Sequence, residues 1–186
     1  MNTFKENYSL VLNEIRGAMD SVDEKQVTSL VDAILQAEKV FVVGVGRVML
    51  SLKALAKRLN HLGISTHCVG DINEPAITDK DLLIVGSSSG ESKVPVVIAQ
   101  VAKKFNPKIA HIGSNPKSTL APITDVFVRI PVRTKLSLPG EIDSKQIMTS
   151  LFEQSLYIFG DTVSLMIAQR RGSDIRALWY HHANLE

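Results

Sequence analysis

The fold is decided by residues 40–47, which read Val40-Phe41-Val42-Val43-Gly44-Val45-Gly46-Arg47. The apolar run over 40–45 predicts a strand that is covered on both faces. Its glycines lead into an amphipathic stretch, 47–62, which predicts a helix that ends at Gly63. A strand that turns at once into a helix is the building unit of a parallel sheet.

The same alternation continues along the chain. Further apolar runs predict four more strands, and the segments between them predict two shorter helices. This pattern indicates an α/β fold: a three-layer α-β-α sandwich around a five-stranded parallel sheet in the flavodoxin-like order 2-1-3-4-5. The predicted strands are 40–45, 65–69, 82–85, 109–112 and 126–130, and the shorter helices are 93–105 and 117–122.

Helices are predicted at both ends of the chain. Apolar residues recur every three or four positions in the first forty residues, and Ser21 with Glu24 fits a capping box. We therefore expect a helix pair over 1–37 that lies against the main body and offers an apolar face for contact between subunits. A long helix over 145–171 and a short one over 174–180 follow the sheet. No linker or repeat divides the chain, so we expect one domain over 1–186.

Composition excludes several classes of protein. The net charge is only +2 and the basic residues are scattered, which argues against a nucleic-acid partner. The single cysteine, Cys68, excludes an intramolecular disulfide and a Cys-rich metal site. No apolar stretch approaches the roughly 18 residues of a membrane span, and residues 1–7 lack the apolar region of a secretory signal. We expect a cytoplasmic protein with no membrane partner.

Two loops at strand ends are candidates for ligand binding. The first contains Gly46 and Arg47, where the backbone can approach a ligand at a helix start. Met49 stands where a dinucleotide fingerprint needs a third glycine, so that interpretation fails. The second loop, Ser87-Ser88-Ser89-Gly90-Glu91-Ser92, offers hydroxyls and backbone N–H groups at another helix start and lacks the P-loop ending. In the order 2-1-3-4-5 these loops border one crevice, which predicts a phosphate site.

Acid–base groups occur in the C-terminal third of the chain. Glu153 lies in an apolar helical segment, and His181 and His182 lie in the tail. A carboxylate can remove a proton next to a carbonyl, and a histidine can transfer one near neutral pH. By spacing alone, a carboxylate in the position of Glu153 is more often a solvent-facing helix residue, and a C-terminal histidine pair is more often part of a frayed tail.

The chain resembles the SIS-domain (sugar isomerase) family and, within it, the 6-phospho-3-hexuloisomerases. The resemblance runs over nearly the full length, and its most specific motifs are Ser150-Leu151-Phe152-Glu153-Gln154 and the ending His182-Ala183-Asn184-Leu185-Glu186. It implies an enzyme that interconverts 3-hexulose 6-phosphate and fructose 6-phosphate through an enediol, without a metal or organic cofactor. It also implies a homodimer or homotetramer.

Residue roles follow from the same resemblance. It implies that a phosphorylated sugar is held by its phosphate at the serine loop, that Glu153 is the base of the enediol step, and that His182 is a second proton-transfer or hydroxyl-binding group. The tail looks too short to cross its own sheet, so we expect His182 to complete the site of a neighbouring subunit. The residues expected to bind the substrate and its phosphate are Gly46, Arg47, Ser87, Ser88, Ser89, Gly90 and Ser92.

Several positions depart from the family pattern and leave the sugar open. They include Val48, Asp71, Glu74 and Thr149, which crowd the sugar end of the predicted pocket. One alternative is therefore an aldose–ketose isomerase for another sugar phosphate. Another is a non-catalytic SIS module that senses a sugar phosphate. Glu153 and His182 favour catalysis over sensing.

Overall fold

Five parallel strands form the centre of the protein, in the order β2-β1-β3-β4-β5. The computed structural model describes residues 2–174, 176–182, 184 and 185, so residues 183 and 186 of the C-terminal motif lie outside the described residues. The α/β class and the strand order predicted from the sequence are confirmed. The strands are β1 (Val40–Val43), β2 (Thr66–Cys68), β3 (Leu82–Gly86), β4 (Lys108–Gly113) and β5 (Val126–Arg129).

In the described part of the chain, five α-helices surround the sheet. The helix after β1 closes with Gly63 in a left-handed conformation, φ 72°, as its sequence predicted. Three short 3₁₀ helices accompany them, at Lys103–Phe105, Ala121–Ile123 and Ala177–His181. The helices are α1 (Phe4–Asp20), α2 (Glu24–Gln36), α3 (Gly46–His61), α4 (Lys93–Ala102) and α5 (Ser150–Arg170).

The core lies in two layers, one on each face of the sheet. Alternate residues of β1 point to opposite faces, so Val40 and Val42 pack with α2, α3 and α5 while Phe41 and Val43 pack with α4. The first layer is the larger and contains the fully buried rings of Phe152 and Phe159 in α5. Burial of each large apolar side chain contributes about 1.5–3 kcal/mol, so α5 is fixed firmly against the sheet.

The start of α5 differs from its prediction, and the difference matters for the site. The apolar pattern predicted a helix from residue 145, whereas α5 begins at Ser150. Met148 has φ 57°, a left-handed conformation that interrupts a right-handed helix. Glu14 of α1 also holds the preceding segment, because its carboxylate accepts hydrogen bonds from Ser144 Oγ and the Lys145 N–H. Glu153 therefore lies in the first turn of α5.

Three local predictions were also wrong. The helix predicted over 117–122 is only the 3₁₀ turn Ala121–Ile123, because Pro122 lacks an N–H and restricts the residue before it. The segment over 174–180 forms the 3₁₀ helix Ala177–His181. The capping box expected at Ser21 is absent, because Ser21 still belongs to the last turn of α1 and Asp23 caps α2. Within the described part of the chain, no helix has the length and apolarity needed to cross a membrane.

Candidate functional site

A cleft of about 360 Å³ lies at the carboxyl ends of β1 and β3. Because these strands are adjacent and their helices leave to opposite faces, the loops after them border one crevice. The cleft brings together the glycine–arginine loop, the serine loop and the first turn of α5. Its lining residues are Val45, Gly46, Arg47, Val48, Gly86, Ser87, Ser88, Ser89, Ser92, Thr134, Lys135, Met148, Thr149 and Glu153.

The serine loop presents hydroxyls at a helix start. Ser87 extends β3, because its N–H donates to the Ile112 carbonyl of β4. Ser92 is the N-cap residue of α4, and its Oγ faces Ser87 Oγ at 3.4 Å instead of turning back onto its own helix. Hydroxyls beside the positive end of a helix dipole suit an anion such as a phosphate.

Gly90 lies behind this loop rather than in the cleft wall. Its N–H donates to both the carbonyl and the Oγ of Ser87, so this amide is already occupied within the turn. Its φ of 67° and the lack of space for a Cβ, which would lie 2.3 Å from Ser118, explain why the position is a glycine. The binding of the phosphate by Gly90 stays a prediction; in this structure the Gly90 N–H is bonded within the turn, and the residue shapes the loop.

Glu153 and Arg47 form an ion pair across the cleft. Arg47 Nε donates to Glu153 Oε2, and Thr149 Oγ1 donates to Oε1 at 3.3 Å. Ser51 of α3 donates its hydroxyl to the Glu153 carbonyl at 2.8 Å, which fixes the first turn of α5 against α3. The Glu153 side chain is only 11% exposed, whereas that of Arg47 is 63% exposed. A nearly buried carboxylate thus faces the same space as the serine hydroxyls.

Residues from the loop before α5 also line the cleft, although the sequence motifs did not predict them as site residues. Thr134 and Lys135 line one wall. Glu141 fixes this loop, because its carboxylate accepts the N–H groups of Thr134 at 3.0 Å and of Leu138 at 2.9 Å. The only sequence signal was the length and polarity of the segment 133–144, typical of functional loops. Lys135 adds a positive charge beside the serine loop.

His182 lies at the other end of the molecule in its own chain. Its ring stacks on His61 at 5.3 Å between centroids and lies 5.1 Å from Trp179. His61 is the last residue of α3, whereas Arg47 is near the first. With a rise of about 1.5 Å per residue, the two ends of α3 are roughly 20 Å apart. The chain therefore does not bring its own His182 to its own cleft.

His111 is a further polar residue near the cleft that the sequence analysis did not single out. It lies in the middle of β4, is 1% exposed, and its Nε2 is 2.9 Å from the Ser87 carbonyl oxygen. Burial lowers the pKa of His111 from its ordinary 6.5 to about 4, while the Ser87 hydrogen bond and the charge of Glu91 act in the opposite direction. The imidazole is therefore neutral at neutral pH.

The described residues offer no obvious metal centre. Among them, no three His, Cys, Asp or Glu side chains lie close enough together to hold an ion. The polar groups of the cleft are instead hydroxyls, two cations and one carboxylate. This set fits an anionic ligand with a group that can be deprotonated by a base.

Comparison with known proteins places the chain in one family. Residues 33–158 match the SIS domain. The chain belongs to the SIS-domain family.

The relatives cover nearly the whole chain. A 3-hexulose-6-phosphate isomerase of Bacillus subtilis is 36% identical over 95% of both chains. One of Mycobacterium gastri is 40% identical over 97% of this chain and 90% of its own. A solved structure from Methanococcus jannaschii, for which the molecular function of a 3-hexulose-6-phosphate isomerase was inferred, superposes with a TM-score of 0.82 at 30% identity, covering 97% of this chain and 99% of its own.

The buried His111 gives a prediction about stability and pH. The unfolded chain takes up a proton on this residue below pH 6.5, but the folded protein does so only near pH 4. The stabilisation from a neutral His111 is therefore complete above pH 6.5 and is lost as the pH falls to 4, a change of about 3 kcal/mol. We expect His111→Gln, which cannot titrate, to lose less unfolding free energy than the unaltered protein between about pH 7 and about pH 4.5, measured by urea unfolding.

Carboxylates that titrate in both proteins do not contribute to the difference between their unfolding free energies. Burial acts to raise the pKa values of Asp81 and Glu14, but hydrogen bonds hold them below their ordinary range, so both carboxylates destabilise the two proteins equally in acid. Parallel losses in the two proteins would contradict the assigned pKa of His111.

Proposed function

We propose that this protein is a sugar-phosphate isomerase that interconverts 3-hexulose 6-phosphate and fructose 6-phosphate. One observation carries the proposal: the serine loop and the Glu153–Arg47 ion pair border the same cleft. Such a cleft can hold a phosphate at one end and place a carboxylate against the sugar at the other. The names of the relatives from Bacillus subtilis and Mycobacterium gastri support the choice of sugar.

The proposed reaction moves a carbonyl by one carbon. Glu153 removes the proton from C2, the carbon beside the C3 carbonyl, and the electron pair forms a C2–C3 double bond while O3 gains a proton. The enediol then loses the proton of its O2 hydroxyl, and C3 receives a proton, which leaves the carbonyl at C2. Arg47 orients Glu153 and supplies positive charge beside the developing oxyanion. No net oxidation occurs.

The phosphate end supplies binding energy and orientation. Ser87, Ser89 and Ser92 line the cleft at the N-terminus of α4, and Lys135 adds a cation at its wall. A phosphate fixed there leaves the sugar carbons to extend toward Glu153. Holding reactants in one geometry lowers the barrier by removing rotational and translational freedom before the reaction.

The serine loop is tested by removing two hydroxyls. We expect Ser89→Ala with Ser92→Ala to raise the KM for fructose 6-phosphate by at least about 100-fold, because each hydrogen bond to a charged group contributes about 1.5–3 kcal/mol. Ser29→Ala, on the distant helix α2, is the matched control and keeps the KM of the unaltered protein. An unchanged KM in the double variant would remove the loop from the phosphate site.

The base is tested by a change that keeps its shape. Glu153→Gln should lower turnover by about 100- to 10,000-fold, the usual effect of losing a general base, while phosphate binding stays intact. The readouts are kcat and exchange of solvent deuterium into fructose 6-phosphate, which reports proton removal directly. Glu24→Gln, on α2, is the matched control. Turnover above about a tenth of the unaltered value would make Glu153 a structural residue.

We also propose that active sites are shared between subunits of a homo-oligomer. In each chain His182 stacks on His61, at the end of the molecule away from the cleft of that chain. An apolar groove lined by Val11, Ile15, Leu50, Tyr157 and Ile158 runs directly into Arg47 and Glu153. A second copy that covers this groove with its own N-terminal and C-terminal helices would place a tail near the cleft, and His182 would then act there.

Mixing two inactive variants tests the sharing. A hybrid of Glu153→Gln and His182→Ala chains contains one site with both groups intact, so random exchange in a dimer should restore about a quarter of the unaltered activity. Subunit exchange is verified first with differently tagged chains, and His182→Ala mixed with itself is the control. Verified hybrids without activity would rule out shared sites.

The remaining expectations concern the chain as a whole. We propose that one SIS unit spans residues 1–186, without a nucleic-acid or membrane partner, and that it works in the cytoplasm. The support for this location is Cys68, a buried free cysteine, which is typical of proteins from reducing compartments.

A further inference from the structure

Among the described residues, His111 is the one strongly buried titratable group near the cleft that the proposed reaction does not use. It interrupts the apolar strand β4, where its neighbours Ala110 and Ile112 are fully buried. Its ring packs against Phe127 of β5 with a centroid distance of 5.2 Å. A polar side chain in such a place needs a hydrogen-bond partner to offset its burial.

The partner is the backbone of the serine loop. Nε2 of His111 is 2.9 Å from the carbonyl oxygen of Ser87. A carbonyl oxygen only accepts hydrogen bonds, so the proton of the neutral ring is on Nε2. The histidine thus donates one hydrogen bond to the first peptide group of the loop.

The next two carbonyls of the loop are held in the same way. The Ser88 carbonyl accepts the N–H of Ser114 at 2.8 Å, and the Ser89 carbonyl accepts Nδ2 of Asn115 at 3.2 Å. All three donors belong to β4 or to the residues that directly follow it. The loop is therefore held by its carbonyls from the side of β4.

This arrangement directs the N–H groups of the loop. In a trans peptide, the N–H points away from the C=O of the same peptide group, and every described peptide bond is trans. The bond from His111 to the Ser87 carbonyl thus turns the Ser88 N–H away from β4. The bond to the Ser88 carbonyl does the same for the Ser89 N–H. Because β1 and β4 lie on opposite sides of β3, the side away from β4 is the side of the cleft, which lies between the loops after β1 and β3.

Glycines provide the space for this contact. A Cβ at Gly113 would lie 2.4 Å from His111 Nε2 and 2.5 Å from the Ser87 oxygen. A Cβ at Gly90 would lie 3.1 Å from His111 Cε1 and 2.3 Å from Ser118. Side chains at these positions would displace the ring or the loop.

We propose that His111 is a positioning residue of the phosphate site, which sets the Ser87–Ser88 peptide plane so that backbone N–H groups of the serine loop point at the phosphate. It acts through Ser87 and does not touch the substrate. The inference rests on the proposed function, because His111 would orient the backbone of the proposed phosphate site.

Two variants separate the hydrogen bond from the packing. His111→Gln keeps a donor, because Nε2 of glutamine is the same number of bonds from Cα, whereas His111→Met keeps a similar volume without a donor. We expect His111→Met to weaken the binding of inorganic phosphate about 10-fold, the effect of one lost hydrogen bond. His111→Gln should remain within about threefold of the unaltered protein. Titration calorimetry with inorganic phosphate measures both.

Steady-state kinetics with fructose 6-phosphate give a second readout. His111→Met should raise KM by the same factor as it weakens phosphate binding and leave kcat within about twofold, because the base is untouched. Thermal unfolding of both variants records any general loss of stability. Equal weakening of phosphate binding in the two variants, or a fall in kcat without a rise in KM, would overturn the proposal.

A measurement on the unaltered protein covers the case in which a variant fails to fold. Long-range ¹H–¹⁵N spectra at neutral pH should show His111 as the neutral Nε2–H tautomer. An Nδ1–H tautomer or a charged ring would overturn the proposal while leaving the proposed phosphate site intact. Failure of the unaltered protein to bind phosphate would overturn both, and binding that His111→Met does not weaken would overturn this inference alone.

Discussion

The parallel pairing of β1 with β3 is the constraint on which the rest of the structure depends. The register joins Val40 to Leu82 and Val43 to Val85, although forty residues separate the two strands in sequence. This pairing brings two loops, each at the start of a helix, together at the carboxyl ends of the strands. The cleft residues other than Thr134 and Lys135 lie in the loops after these two strands or at the start of α5, which packs on the sheet.

A parallel sheet also separates two ends of the molecule. The cleft lies at the carboxyl ends of the strands, where α5 begins, and α5 then runs about 30 Å, at 1.5 Å per residue, toward the opposite end. The chain after α5 consequently emerges beside His61, far from the cleft of its own subunit. The same geometry that places Glu153 in the cleft thus takes His182 away from it. This conflict is the physical reason for proposing a site completed by a second chain.

Within the cleft, the polar groups are fixed by contacts that are distant in sequence. Glu153 is held by Arg47 and by Ser51, about one hundred residues earlier. The loop that carries Lys135 is held by Glu141, which also accepts a hydrogen bond from Ser114 after β4. The cleft is therefore preorganised by ordinary hydrogen bonds between elements, without strained backbone at Glu153 itself. Preorganised polar groups are what a reaction with a developing charge requires.

The sequence by itself determined the fold class, the strand order and the two loops of the cleft. It could do so because apolar periodicity and glycines act locally, on the residues that carry them. It misplaced the start of α5 by five residues, because the left-handed Met148 and the hold of Glu14 on residues 144–145 are tertiary effects. It also did not reveal His111 or Lys135. Only the tertiary structure decided those positions, because the neighbours that give them a role are distant in the chain: Ser87 is 24 residues from His111, and the serine loop is more than forty residues from Lys135.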